Sequence, residues 1–347
     1  MTIKNAVLLL VLTGFLFPIV AFAGYIDDRS RSDDINGAVS LQGWYSQAEA
    51  KWQISFPYTT KTTNVQGKGE SELRFKKIDS PLVIATAGGK VTPKIAFDVT
   101  YGYGSITGGF GTDSDRFLSS SGGRLDFSQS KNSLSGDVSL WGINVYYNNR
   151  RFGDKQAGPW GLILGFLHYE DKLRMTNAEQ TVSVPFDGDT FPPVGPFPSS
   201  QVLNSTYDFS WNLLKVGISR QAELAKGFSY TGTLSVFPYV DYTGEGYWNL
   251  RAGTCDPLST NCPYFRTQSP NFIQTSQKGY GYEASLGLTY EIFEHMELLV
   301  GYRYFFLYAG DGTDITYYAN GTTSKPSTLD WVTVTRHGAH AEMLFKF

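Results

Sequence analysis

Beyond residue 23 the chain lacks any stretch of the about eighteen apolar residues that a membrane-crossing helix requires, so nothing downstream can span a bilayer as a helix. Charge is also sparse: 18% of the residues are Asp, Glu, Lys or Arg, and a net charge of -3 gives no electrostatic reason to expect nucleic acid as a partner. Cysteine is scarcer still, with only Cys255 and Cys262, both in a Pro-rich polar segment. In an exported chain an even number at short spacing reads as one local disulfide. A metal site is the rival, weakened because two thiols have no neighbouring His. Histidine occurs four times and nowhere between 169 and 294.

What is abundant is aromatic and glycine: 22 Tyr, 24 Phe, 7 Trp and 37 Gly, at a mean hydropathy of -0.22 and without a long amphipathic helical pattern. That mixture suits strands with a small-residue lumen. At the N-terminus, Lys4 precedes an apolar run from Ala6 to Ala23 that closes on Ala21-Phe22-Ala23 before Gly24. This is the grammar of a cleaved secretory signal over 1–23, with a membrane anchor as the alternative. Without that segment, a chain that spans a membrane does so as strands.

The strand pattern has period two. Ile95, Phe97, Val99 and Tyr101 alternate with Lys94, Ala96, Asp98 and Thr100, and Tyr280 to Tyr290 and Leu298 to Phe306 alternate likewise. A soluble sandwich also alternates, but Tyr concentrated at both ends of successive strands matches the aromatic girdles of an outer-membrane barrel. Tight links near Thr92-Pro93, Leu224 to Gly227 and Phe293 to Met296 separate long polar excursions at about 53 to 70, 105 to 136, 176 to 207, 249 to 276 and 311 to 328. Short turns on one side and long loops on the other is the barrel asymmetry.

The expected fold is therefore all-β, a transmembrane antiparallel β-barrel over 24–347. Its strands are expected near 39 to 52, 71 to 91, 94 to 104, 137 to 148, 160 to 175, 208 to 222, 228 to 248, 277 to 292, 297 to 310 and 329 to 347. Phe97, Val99, Leu286, Leu288, Val300 and Tyr302 should face lipid; Lys94, Asp98, Glu283, Arg303, His340 and Glu342 should face the lumen and fill it by pairing. The last residues, Met343 to Phe347, place apolar side chains alternately up to a terminal aromatic, which resembles the C-terminal signature that the outer-membrane assembly machinery reads. The other expected partner is outer-membrane lipid, including lipopolysaccharide. No cofactor and no resident metal is expected, and the chain does not identify its extracellular ligand.

The order of strands and loops resembles that of the omptin family, ten-stranded outer-membrane endopeptidases whose active site lies in an extracellular cleft. Ser71-Glu72-Leu73-Arg74-Phe75-Lys76 is similar to the family's second-strand opening, Thr92-Pro93 falls at its first periplasmic turn, and Gly108-Gly109 leads to Asp113-Ser114-Asp115. The resemblance covers nearly the whole mature chain as pattern, and implies that Asp113 and Asp115 are one half of a catalytic constellation. An Asp-x-His half should face them from late in the seventh strand, so that a water between the halves meets a general base. Gly246 and Trp248 occupy those places. A shifted alignment offers Asp241 or Glu245 as the acid but no base. Of the four histidines, His295 falls in a predicted periplasmic turn, His337 and His340 in the last strand and His168 partway up the fifth, where interior or interface polar filling is the plain reading. No His-x-Ser pair of an outer-membrane phospholipase is present.

Apart from any resemblance, a D-x-D in a Gly, Ser and Thr-rich segment fits Asx turns and loop solvation. A cation site and a surviving catalytic half are the other readings, and Arg116 beside the pair would keep both carboxyls ionised. Phe191 to Pro198 is stiff and apolar, either a packed lid over the barrel mouth or a partner-binding surface. Three functions follow: a barrel without proteolysis that serves surface binding, adhesion or a structural role; an omptin-type endopeptidase with a displaced base; and a small pore, disfavoured because ten strands enclose little more than the eight that side chains can fill.

Overall fold

The computed structural model describes residues 37–148, 160–188, 191–197, 202–249, 270–317 and 322–347. The signal segment, the 149–159 link and both cysteines, with the disulfide expected of them, lie outside these residues. Thirteen strands follow one another: β1 (Gly37–Thr59), β2 (Gln66–Thr92), β3 (Ile95–Ile106), β4 (Gly108–Ser119), β5 (Arg124–Tyr147), β6 (Trp160–Ser183), β7 (Gly195–Pro196), β8 (Ser205–Ala225), β9 (Phe228–Tyr247), β10 (Phe272–Ser276), β11 (Lys278–Phe293), β12 (Met296–Thr316) and β13 (Ser327–Lys346). β3 and β4 both lie between β2 and β5, and β10 and β11 both lie between β9 and β12. Each of these pairs is one stave interrupted by a single residue, and β7 only adds two residues to β6. Ten antiparallel staves remain. β1 closes on β13 from Ala38↔Lys346 to Ser55↔Thr328, and Gly37 exchanges two backbone hydrogen bonds with Phe347, so the ladder has no open edge there.

A tilted membrane strand needs only about 9 to 11 residues, whereas β2 has 27 and β5 and β6 have 24 each. The excess lies opposite the tight turns, and the barrel stands well clear of the membrane on that side. Much of what the sequence presents as long loops is therefore strand. The 105–136 excursion is the continued ladder β4–β5 around a turn at residues 120–123.

The side-chain alternation inverts partway along the staves. On β8, Leu214, Val216 and Ile218 are exposed on the outer face, while Tyr207, Phe209, Trp211 and Leu213 are buried inside. β12 changes in the same way from outward Val300 and Tyr302 to inward Phe305 and Leu307. The lower storey is thus apolar outside, where lipid replaces water, and the upper storey is apolar inside, where water surrounds the wall. The expected lipid-facing set is correct: Phe97, Val99, Leu286, Leu288, Val300 and Tyr302 are all exposed. Tyr45, Tyr103 and Tyr280 mark the upper boundary, and Tyr147, Trp160 and Tyr290 the lower.

Inside the lower storey, Glu283 accepts from Lys215 at 2.8 Å and lies 2.5 Å from Arg303, whose guanidinium stacks on Trp44. Asp98 accepts from Asn144 and Tyr146, and His340 bonds Gln42 at 2.7 Å. These pairs line a cavity of about 200 Å³. Lys94 departs from the expectation: it lies exposed in the tight turn between β2 and β3, because that turn ends the alternation one residue sooner. Above the cavity, one apolar cluster that includes Trp52, Leu73, Phe75, Tyr169, Trp211, Phe237 and Val334 fills the barrel. Within it Arg336, fully buried, donates to Asp171 at 2.7 Å, Tyr169 at 2.9 Å, Ser46 at 2.8 Å and Ser80 at 2.9 Å.

Candidate functional site

Above this core the upper storey opens into a cavity of about 340 Å³ at the mouth opposite the tight turns. Asp113 and Asp115 line it. They are strand residues, not the Asx-turn loop residues that their Ser- and Gly-rich surroundings suggest. On β4 they stand opposite Leu73 and Ser71 of β2, in line with Gly111 and Phe117, and period-two alternation therefore turns them inward. Arg116 falls on the opposite parity across from Glu70. Its guanidinium is engaged by Glu72 and, at 3.9 Å, by Glu70, and it also lines the cavity beside the Asp pair. Burial pushes the Glu72 carboxyl up, but hydrogen bonds from Arg74 and Arg116 more than reverse this and hold it below its ordinary value.

One wall of the cavity is aromatic and comes from three hairpins: Phe56 and Tyr58 end β1, Phe117 ends β4, Phe127 begins β5, and Phe186 and Phe191 follow β6. Phe127 and Phe186 stack at 4.6 Å with planes 6° apart, and Phe191 lies on the other side of Phe127 at 5.3 Å. Asp187 pins this segment to the β1–β2 hairpin. Its carboxylate accepts from the Tyr58 hydroxyl at 2.6 Å, the Lys61 and Thr62 amides at 2.8 Å each, and the Thr62 hydroxyl at 3.1 Å. Desolvation pushes the Asp187 carboxyl up, yet these bonds outweigh it and hold the group far below the usual carboxylate range. Gly195–Pro196 then pairs back on Glu179–Gln180. In the described part of the Pro-rich stretch Phe191 packs on Phe127, as the lid reading expects, while Pro193, Val194 and Pro196 are exposed, as the partner-surface reading expects.

The facing wall holds Trp52, Phe272 and Trp248, with Asp314 from the end of β12. Gly246 has inward parity, and Trp248 lines the same cavity as Asp113 and Asp115. A Cβ built on Gly246 would meet the Phe272 ring at 2.0 Å, so the ring occupies the space an acidic side chain at 246 would need. Trp248 packs on Phe272 at 5.6 Å, and the Asn271 side chain accepts its backbone N–H. Asp241 and Glu245 have the outward parity of β9, facing Asn212 and Asp208 across the ladder, so neither reaches the cavity.

All four histidines are described, and none lines the cleft. His168 is on the outer wall, bonded to Asn212 at 2.9 Å and stacked on Trp141; His337 is on the outer wall with Tyr302 at 2.6 Å. His340 lines the lower cavity, and His295 sits in the turn after β11. No group of three or more His, Cys, Asp or Glu able to hold a metal occurs among the described residues. Asp314, Phe272 and the Phe117–Phe127–Phe186 cluster are the site residues that sequence reading passed over. The inward series Trp52, Ile54, Phe56, Tyr58 was their visible signal, since it continues the alternation past the expected strand end.

A family model described as Protochlamydia outer membrane protein matches residues 41–335. The chain belongs to this Pom family. No curated protein matches it. Among solved structures, this Pom-family barrel is similar to the outer membrane protease OmpT from Escherichia coli, with a TM-score of 0.67 and 13% identity over 92% of this chain and 99% of that one. It also matches the translocator domain of the autotransporter NalP from Neisseria meningitidis at a TM-score of 0.35 and 11% identity, over 99% and 98% of the two chains. The omptin-like fold expected from the strand order is thus observed, and at such identity the likeness speaks for the fold alone.

Proposed function

We propose that this outer-membrane barrel is a non-proteolytic surface protein that binds a ligand in its extracellular cleft. One observation carries the reading: the Phe272–Trp248 pair fills the wall opposite Asp113 and Asp115, where the omptin resemblance calls for an acid and a histidine. Glycine orients nothing, and an indole nitrogen only donates, so neither Gly246 nor Trp248 can take a proton from water. The carboxylates at Asp113 and Asp115 keep their value as electrostatic contacts for a bound molecule. Against the pore reading stands the apolar cluster that fills the barrel between cleft and lower cavity. The test is to refold the mature chain with lipopolysaccharide, incubate it with a proteome-derived peptide mixture and look for cleavage products by mass spectrometry. No product beyond those of an Asp113→Ala control is expected; new products absent from the control would restore the endopeptidase reading.

A further inference from the structure

We propose that the cleft binds a neutral pyranose sugar, which lies with one ring face on the inner side of β1 and hydrogen-bonds through its rim to the strands beside it. The inference rests on the binding reading above and names the ligand chemistry for it. Its basis is an arrangement across five neighbouring staves, β4, β2, β1, β13 and β12. On one side Asp115 of β4 stands directly opposite Ser71 of β2, and on the other Asp314 of β12 stands directly opposite Ser327 of β13. β1 runs between β2 and β13, and Trp52, Ile54 and Phe56 from its inner face line the cavity together with both polar pairs. The lining is thus polar, apolar and polar in turn. β2 and β13 are two interstrand steps apart, about 10 Å at about 4.8 Å each. A six-membered sugar ring with a hydrogen bond at each edge spans a similar width.

The charged groups of the lining select against an ion of either sign. Asp113, Asp115 and Asp314 already have partners, and Arg116, engaged by Glu72 and Glu70, lines the same cavity. A cation meets a guanidinium beside carboxylates that already serve other groups, and an anion meets three carboxylates. A hydroxyl asks less, because an ionised carboxylate has about four lone-pair sites and a partnered one can still accept an O–H. Ser71, Thr316 and Ser327 supply half-buried hydroxyls with no side-chain hydrogen bond among the described residues, and each can donate and accept. A wholly apolar ligand would strip water from all these groups and return no hydrogen bond. An extended peptide finds no free strand edge in the side walls, since β4 is paired by β2 and β5, and β10 by β9 and β12. A pyranose presents C–H faces to the apolar strip and hydroxyls around its rim to the polar pairs. The same ring occurs as a free sugar and as the end of a surface glycan, and the two sources present the same chemistry to the cleft.

The experiment uses the full mature barrel refolded in lauryldimethylamine oxide, a detergent without a sugar headgroup, and titrated by calorimetry with glucose, galactose, mannose and N-acetylglucosamine. Glucosamine and glucuronate serve as charged counterparts, and cyclohexylmethanol as a ring without the rim of hydroxyls. At least one of the four neutral sugars should bind with saturable heat and a change in tryptophan fluorescence, more tightly than either charged sugar. Cyclohexylmethanol should bind about tenfold or more weakly than that sugar, because it leaves the polar pairs unmatched. Ser71→Ala and Ser327→Ala should each weaken the sugar about threefold to tenfold, the worth of one neutral hydrogen bond, and Phe56→Ala at least as much, while the band keeps the heat-modifiable migration of the folded barrel. Binding of none of the four sugars, tighter binding of glucosamine, equal binding of cyclohexylmethanol, or wild-type binding by both serine variants would each overturn the proposal. Tighter binding of a disaccharide that ends in the same sugar assigns the glycan source; equal or weaker binding assigns the free sugar. Peptide cleavage is scored separately. Without cleavage, absence of sugar binding removes this proposal alone, whereas cleavage removes the reading beneath it.

Discussion

Replacing Arg336 by Met tests whether the upper storey is the stabilising core of the barrel. Arg336 and Asp171 are both fully buried, 2.7 Å apart, and Arg336 also donates to Tyr169, Ser46 and Ser80. Met keeps the apolar stem of the side chain but leaves the Asp171 carboxylate in an apolar barrel with Tyr169 as its remaining donor. Breaking a buried pair from one side costs about 3 to 5 kcal/mol, because the orphaned charge keeps its desolvation penalty. Removing both charges, in Asp171→Leu with Arg336→Met, should recover most of that loss, since apolar replacement of a whole buried pair is often neutral. Ser46 retains the Ser80 carbonyl as an acceptor in either variant, so the hydroxyls add little to the difference. The assay is urea unfolding of the barrel in lipid vesicles, followed by tryptophan fluorescence. Equal destabilisation in the single and double variants would refute the reasoning, because it would show that packing volume and not the uncompensated charge sets the cost.

Three further outcomes are expected. Val300→Arg, on the exposed face of β12 between Leu298 and Tyr302, should cost about 2 to 4 kcal/mol near the bilayer midplane, while Thr100→Arg enters the polar lower cavity and should fold in vesicles at nearly wild-type yield. Similar losses for both would put the register in error. The Asp187 carboxyl has a folded pKa below its unfolded value, so the pinning of the lid is fully present above about pH 4 and fades as the pH falls towards the lower folded value. Hydrogen exchange at the Lys61 and Thr62 amides should therefore speed up on acidification relative to the rest of the barrel, with Asp187→Asn fast throughout; an unchanged pattern in that variant contradicts the latch. For Cys255 and Cys262, the mature chain should shift in electrophoretic mobility on reduction and Cys255→Ser should abolish the shift, whereas maleimide labelling of both native thiols would rule out the pairing.

The lower storey was legible in the sequence because lipid enforces one rule on every stave. Phe97 and Val99, Leu286 and Leu288, and Val300 and Tyr302 alternate with polar or small residues without interruption. The upper storey was not, because the apolar residues change face where water replaces lipid. On β8 the inversion falls between Leu213 and Leu214, two adjacent Leu that give period-two reading no single phase. On β4, polar residues on both parities made Asp113 and Asp115 look like loop residues, and only pairing with Leu73 and Ser71 reveals their inward face. The contrast between Asp113-x-Asp115 and Gly246-x-Trp248 was visible in the chain. That Phe272 occupies the space over Gly246 was not, because 26 residues separate them and strand pairing alone brings them together.

The central claim is that the cleft binds without cutting, and the direct measurement is kcat/KM on basic fluorogenic peptides for the mature barrel refolded with lipopolysaccharide, beside its Asp113→Ala variant. General-base catalysis contributes about 10² to 10⁴-fold, so a cleft without the histidine base that the omptin resemblance calls for should leave the wild type at background and equal to the variant. Cleavage by the wild type at least a hundredfold above Asp113→Ala would contradict the claim and show that another group activates water beside the Asp pair.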